Sequence, residues 1–158
     1  MLANYGLYWH VSSVQWGWQN QMGQLLGRRR GADAISIDFR QQRGIYALYS
    51  EHELVYVGQT GNGTSRLLNR LRRHLDDHLS ERWNRFSWFG IDQVDPVESK
   101  LVETADATVV GVATVLNVME AVSIAIAEPR LNLQRGRWKD IDQYYQIRVG
   151  GEGVENDD

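Results

Sequence analysis

Apolar and polar positions are ordered most clearly between residues 44 and 79. Gly44–Ser50 and Leu54–Gly58 are rich in Tyr, Val, Ile and Leu, and a polar Glu51-His52-Glu53 separates them. β-Branched and aromatic residues on both sides of a short polar link predict a β-hairpin. Gly61-Asn62-Gly63 is then a turn signal. From about Ser65 to Leu79 the period changes. Leu67, Leu68, Leu71, Leu75 and Leu79 recur at helical spacing, with Arg66, Arg70, Arg73, His74 and Asp77 on the polar side. The aromatic run Asn84–Ile91 predicts a third strand, and Ile35–Phe39 alternates like a half-buried one. Val112–Ala127 is apolar nearly throughout and predicts a buried second helix. That helix ends near Glu128, because a residue before proline is disfavoured in the helical region. The acidic stretch Asp92–Asp106 predicts an irregular connection with room for a short strand or turn. Ile141–Val149 fits a last strand or a helix.

The pattern divides the chain into a Trp-rich N-terminal extension over 1–40, a main domain over 41–149 and an acidic, disordered tail over 150–158. Within the first part, Tyr8, Trp9, Val11, Val14, Trp16 and Trp18 make an aromatic segment open to a strand or two or a short helix. Two roles are open to these tryptophans: packing on the hairpin, or stacking and wedging against nucleic-acid bases. Gly27-Arg28-Arg29-Arg30-Gly31 predicts an exposed basic loop.

Composition narrows the choices. The 158 residues contain no cysteine, which excludes disulfides and cysteine zinc sites and suits a cytoplasmic protein. The longest apolar stretch, Val109–Ala127, is interrupted by Asn117 and Glu120, so no membrane span is expected. Net charge is −3, yet it is unevenly spread. Residues 1–90 hold 11 Lys and Arg against 7 Asp and Glu, and the remainder holds 6 against 13. Local basic faces at Arg28, Arg29 and Arg30, along Arg66 and Arg73, and at Arg135 and Arg137 therefore remain open to nucleic acid.

Four polar groups in the ordered stretch suit chemistry on a phosphate. Arginine presents a planar fork of donors matched to phosphate oxygens, and histidine or tyrosine can move a proton. Tyr46 and Tyr56 fall on adjacent hairpin strands, and Arg70 and His74 lie one helical turn apart. Glu120 is the other conspicuous residue. An ionised carboxylate among Val115, Leu116, Val118, Met119 and Val122 needs compensation. A divalent cation supplies it, as does a salt bridge to Arg70.

The order Gly44-Ile45-Tyr46, Tyr56-Val57-Gly58, Arg70 and His74, Glu120, then Glu128-Pro129-Arg130-Leu131-Asn132, resembles the GIY-YIG nuclease family over roughly Arg43 to Arg137. The resemblance implies an α/β (α+β) fold: a small three-stranded, mainly antiparallel sheet flanked by helices, with an N-terminal extension. It implies a divalent-metal-dependent endonuclease that hydrolyses DNA phosphodiester bonds. Tyr46 would be the general base or its relay, and Tyr56 would hold the water or the scissile phosphate. Arg70 would bind that phosphate, and His74 would assist proton transfer. Glu120 would hold one Mg²⁺ (or Mn²⁺), and Asn132 would support the site by hydrogen bonds. Gly58 and Gln59 would be supporting residues, although some family members carry lysine where Gln59 stands. A phenol with a pKa near 10 is a poor base, so Arg70 or the metal would have to stabilise its phenolate. The size of the chain suggests a small bacterial or phage-encoded enzyme of restriction or phage defence, acting on DNA as a homodimer or with a partner subunit. Two rival readings are an inactive nucleic-acid-binding module and a nuclease subunit whose Trp-rich segment docks a targeting partner.

Overall fold

The computed structural model describes residues 2–31, 35–61, 63–105, 118, 122–123, 125–127 and 141–147. The chain opens with β1 (Asn4–His10) and a 3-10 turn at Val11–Ser13, followed by β2 (Leu26–Arg28) and β3 (Ile37–Asp38). The expected hairpin is present as β4 (Gly44–Ser50) and β5 (Glu53–Thr60), and α1 (Leu67–Arg73) follows it. Then come β6 (Arg85–Gly90), a small hairpin of β7 (Gln93–Asp95) and β8 (Lys100–Val102), and finally β9 (Asp142–Gln143) and β10 (Tyr145–Gln146).

The main sheet has five strands, in the order β5-β4-β6-β1-β9, where three were expected. β5, β4, β6 and β1 run antiparallel to their neighbours, and β9 joins β1 in parallel. A second sheet has the order β10-β2-β3. The fold is mixed α/β but strand-rich. Among the described residues the helical part is α1 plus residues 118, 122, 123 and 125–127. No helix among them is long and apolar enough to cross a membrane.

Residues 4–10, within the N-terminal extension, form the strand between β6 and β9 of the main sheet. Gly6 faces Trp88 while Trp9 faces Phe86, so β1 carries one extra residue across this interval. Tyr8, at φ 51°, occupies that bulge, which brings Trp9 onto the same face as Gly6. A Cβ at Gly6 would collide with the indoles of both Trp9 and Trp88. Glycine therefore makes room for an edge-to-face pair, with centroids 5.4 Å apart at 89°, and Phe39 packs on Trp88 at 4.5 Å. Such aromatic pairs contribute about 0.5–1.5 kcal/mol each beyond their buried area. Trp9 is thus a core residue, and Trp16 packs edge-on to Trp83. Trp18 alone of the three stands in solvent, 78% exposed.

The sheet is covered on both faces. Trp9, Tyr46, Leu48, Phe86 and Trp88 share one cluster with Leu67, Leu68 and Leu71 of α1. Tyr5 and Phe89 share the other with Val122, and Val118, Ala125 and Ile126 pack against it. This spacing agrees with the expected second helix, whose other residues lie outside those described. So does the 150–158 tail.

α1 is shorter than the leucine pattern predicts. Its first free N–H groups, on Leu67 and Leu68, donate to the carbonyls of Gln42 and Arg40 at 3.1 Å each, which satisfies the helix start without a side-chain cap. Beyond Arg73 the backbone tightens to three-residue bonds, His74 N–H to Leu71, Leu75 to Arg72 and Asp76 to Arg73. Side-chain bonds from Asp77 to the Leu79 N–H and from Ser80 to the Leu75 carbonyl compete with helix continuation here. Leu79 is buried all the same, so the stripe is preserved on a series of turns. The acidic connection after β6 holds the β7–β8 hairpin, in keeping with the short strand or turn expected there.

Candidate active site

In the β4–β5 register Tyr46 is opposite Gly58 and Leu48 is opposite Tyr56. The two tyrosines are therefore diagonal neighbours on one face, with ring centroids 6.2 Å apart. Gly58 is essential to this arrangement. A Cβ there would collide with the Tyr46 hydroxyl and the ring carbon that bears it, so the phenol lies directly across the glycine. Burial of Leu67, Leu68 and Leu71 fixes the rotation of α1. Arg70 and His74, four residues apart, then share the side facing the hairpin. The His74 ring is 4.9 Å from that of Tyr56 and 5.7 Å from that of Tyr46.

The hydrogen bonds order these groups. His74 Nε2 lies 2.8 Å from the Tyr46 hydroxyl, and His74 Nδ1 lies 2.7 Å from Asp77 Oδ2. The other Asp77 oxygen accepts the Leu79 N–H at 2.8 Å. That bond, with the His74 contact and nearby charge adding to it, holds the Asp77 carboxyl below its usual range. An ionised carboxylate only accepts, so an imidazole bearing a single proton carries it on Nδ1. Its Nε2 lone pair then receives the Tyr46 O–H. Trp83 Nε1 donates to the His74 carbonyl at 3.1 Å and fixes the backbone beneath the ring.

Burial pushes the Tyr46 phenol above its ordinary pKa, against the downward pull of the Arg70 guanidinium, and Tyr56 adds to the rise. Arg70 acts in the expected direction, favouring the phenolate. Desolvation outweighs it, and Tyr46 stays protonated at neutral pH. Arg70 is itself held more firmly in its charged form, first by Tyr46. Its Nε, like those of Arg72 and Arg85, is buried and has no hydrogen-bond partner among the described residues. Tyr46 and His74 form a buried floor, and Tyr56 and Arg70 form a half-buried rim.

The remaining expected residues are scattered. Gln59 pairs with Ile45 and so points away from Tyr46, Tyr56 and Gly58. The alternation of the strand excludes it from the cluster. Arg66 spends donors on the carbonyls of Gly63 and Ser65 at 2.8 and 3.0 Å and on Glu103 at 3.3 Å. Arg73 is exposed. The expected basic loop at Gly27–Gly31 begins as strand β2, which contains Arg28. Arg29 pairs with Asp142 at 3.2 Å, and Arg30 is exposed. Glu120, Asn132, Arg135 and Arg137 lie outside the described residues. Among the described residues no three His, Asp or Glu side chains are grouped to hold a metal ion.

Asp77 and Trp83 were not singled out from sequence as site residues. The signal for Asp77 was available: an acid three residues after a histidine meets it across one turn. A cleft of about 580 Å³ lies elsewhere, between Leu2, Ile37, Val94 and Tyr144, and none of the four cluster residues lines it. No family model, curated protein or solved structure matches the chain.

Proposed function

We propose that this protein is a divalent-metal-dependent endonuclease of the GIY-YIG type, hydrolysing DNA phosphodiester bonds, in restriction or phage defence. The observation that carries the proposal is the convergence of Tyr46, Tyr56, Arg70 and His74 from a hairpin and a helix. A phosphate oxygen is the acceptor that suits a half-buried guanidinium best.

Rim and floor divide the work. Arg70 and Tyr56 meet the phosphate and the attacking water, and Arg70 stabilises charge that grows on the phosphoryl oxygens. Tyr46 and His74 lie beneath and receive the released proton. The proposal includes one Mg²⁺ or Mn²⁺ with Glu120 as its protein ligand, supplying positive charge at the leaving oxygen. That part rests on the sequence resemblance alone. DNA is the proposed substrate, and a second copy of the chain or a partner subunit is the proposed means of cutting both strands.

A second reading has a specific observation in its favour. Tyr46 is fully buried and its hydroxyl is bonded to His74, as in a packing element of a nucleic-acid-binding module without activity. The two readings separate when purified protein is incubated with supercoiled, linear, single-stranded and branched DNA in Mg²⁺ or Mn²⁺. A nuclease cuts at least one substrate and loses cutting by about 10²-fold or more in Tyr46→Phe and in Glu120→Ala, while DNA binding persists. A binding module retains DNA and cuts none.

A further inference from the structure

We infer that Asp77 is a positioning residue: its carboxylate, 2.7 Å from His74 Nδ1, turns His74 Nε2 toward the Tyr46 hydroxyl and makes His74 the acceptor of the proton released by hydrolysis. The inference rests on the nuclease reading and deepens it. It changes which group is the final base.

The groups facing His74 leave few alternatives. Tyr46 and Tyr56 approach from the hairpin, Arg70 from the same helix, and Asp77 from the following turn, where His78 acts on Asp77 by its charge. Arg70 is a cation and accepts nothing. The Tyr46 phenol is held in its protonated form by burial. His74 Nε2 is the basic nitrogen in contact with Tyr46. A proton arriving there makes an imidazolium, whose charge the Asp77 carboxylate opposes at hydrogen-bond distance. Burial raises the cost of a lasting Tyr46 phenolate, and this arrangement avoids forming one.

The step balances with one water. The water gives a proton to the Tyr56 oxygen, Tyr56 passes its own hydroxyl proton to the Tyr46 oxygen, and Tyr46 passes its hydroxyl proton to His74 Nε2, so that both phenols end protonated. The water oxygen bonds to phosphorus, and the bond from phosphorus to the leaving oxygen breaks with its electron pair. The leaving oxygen takes a proton from solvent, and His74 returns its proton to solvent. No oxidant, reductant or further reactant is needed. Asp77 touches neither water nor phosphate and acts only through His74.

The test compares wild type, Asp77→Asn and Asp77→Glu. ¹⁵N NMR of the imidazole in DNA-free protein reads the tautomer of His74, and cleavage kinetics with supercoiled DNA and Mg²⁺ read its use. Thermal melting serves as the fold control. Wild type is expected to carry its proton on Nδ1. Asp77→Asn is expected to lose that preference and about 10²-fold in kcat with KM nearly unchanged. Asp77→Glu, which keeps a carboxylate, is expected to recover about tenfold of the loss. A wild-type His74 protonated on Nε2 overturns the inference, whatever the protein cuts. So does an Asp77→Asn protein that cuts within about threefold of wild type. Should Asp77→Asn not fold, the wild-type tautomer and the Asp77→Glu kinetics decide the matter. Wild type that cuts no DNA defeats the nuclease reading itself, and the relay falls with it. That outcome is distinct from an active wild type matched by its Asn variant.

Discussion

Two arginines approach the same strand from opposite fates. Arg43 immediately precedes β4 and is bonded throughout. Its Nε reaches both Asp92 oxygens at 3.1 and 3.0 Å, and its Nη2 reaches Asp92 Oδ1 and the Thr104 carbonyl at 2.6 Å each. Asp92 also accepts the N–H groups of Arg43 and Thr104 at 3.1 and 2.9 Å. Around the pair, Gln42 donates to Asn4 at 2.6 Å, and Asn4 donates to the Asp92 carbonyl at 2.9 Å. Arg70, set against the middle of the same hairpin, is half-buried beside Tyr46 and Tyr56 and has no ion pair among the described residues. The first arginine ties the ends of β1, β4 and β6 together. The second sits at a rim beside two phenols. A buried charge saturated by a carboxylate belongs to the scaffold, and a half-buried one without a carboxylate has room for an anion.

The contrast can be broken at its strongest point first. Asp92→Ala leaves Arg43 buried without its carboxylate, which costs about 3–5 kcal/mol. In a chain of this length that lowers Tm by on the order of 10 °C, measurable by calorimetry. A change of only a degree or two would remove the distinction between scaffold and site.

A smaller effect comes from alkaline pH. Folded Tyr46 holds its proton above its ordinary pKa of 10.0. As pH rises past that value the unfolded phenol ionises while the folded one does not, so the unfolded state gains. Stability is therefore full below pH 10 and falls as pH climbs through the folded value. Tyr144 is raised by burial in the same direction, so Tyr46→Phe should remove part of the loss, as read by denaturant unfolding at several pH values. An unchanged pH profile would place the hydroxyl in contact with water.

The smallest effect on stability is expected at Arg70. Arg70→Gln removes a half-buried cation that has no ion pair among the described residues and should change unfolding by under about 1 kcal/mol. A loss as large as that of Asp92→Ala would make both arginines scaffold.

The cluster was legible from sequence because its parts are local. A period of two set Tyr46 and Tyr56 on neighbouring strands, and a spacing of four put Arg70 beside His74. The same period of two excludes Gln59, one residue from Gly58 and hence on the other face. The direction of the Tyr46 shift was hidden for another reason. Whether burial or a neighbouring cation controls Tyr46 depends on how closely other elements pack, and chain spacing does not carry that information.

Long-range features were hidden for the same cause. Nothing in Asn4–His10 announces that it pairs with β6, because the bulge at Tyr8 breaks the alternation that would mark a strand. Asp92 stands at the head of an acidic stretch that reads as a solvated connection, yet its partner, Arg43, is 49 residues away. The length of α1 was misjudged because Asp77 and Ser80 compete for backbone groups within a continuing leucine stripe.

Cleavage by Arg70→Gln decides whether the rim guanidinium serves a phosphate. With wild type and variant matched in melting temperature, wild type is expected to cut DNA in Mg²⁺ and Arg70→Gln to be slower by about 10²–10³-fold. Equal cleavage by the two proteins would contradict that role.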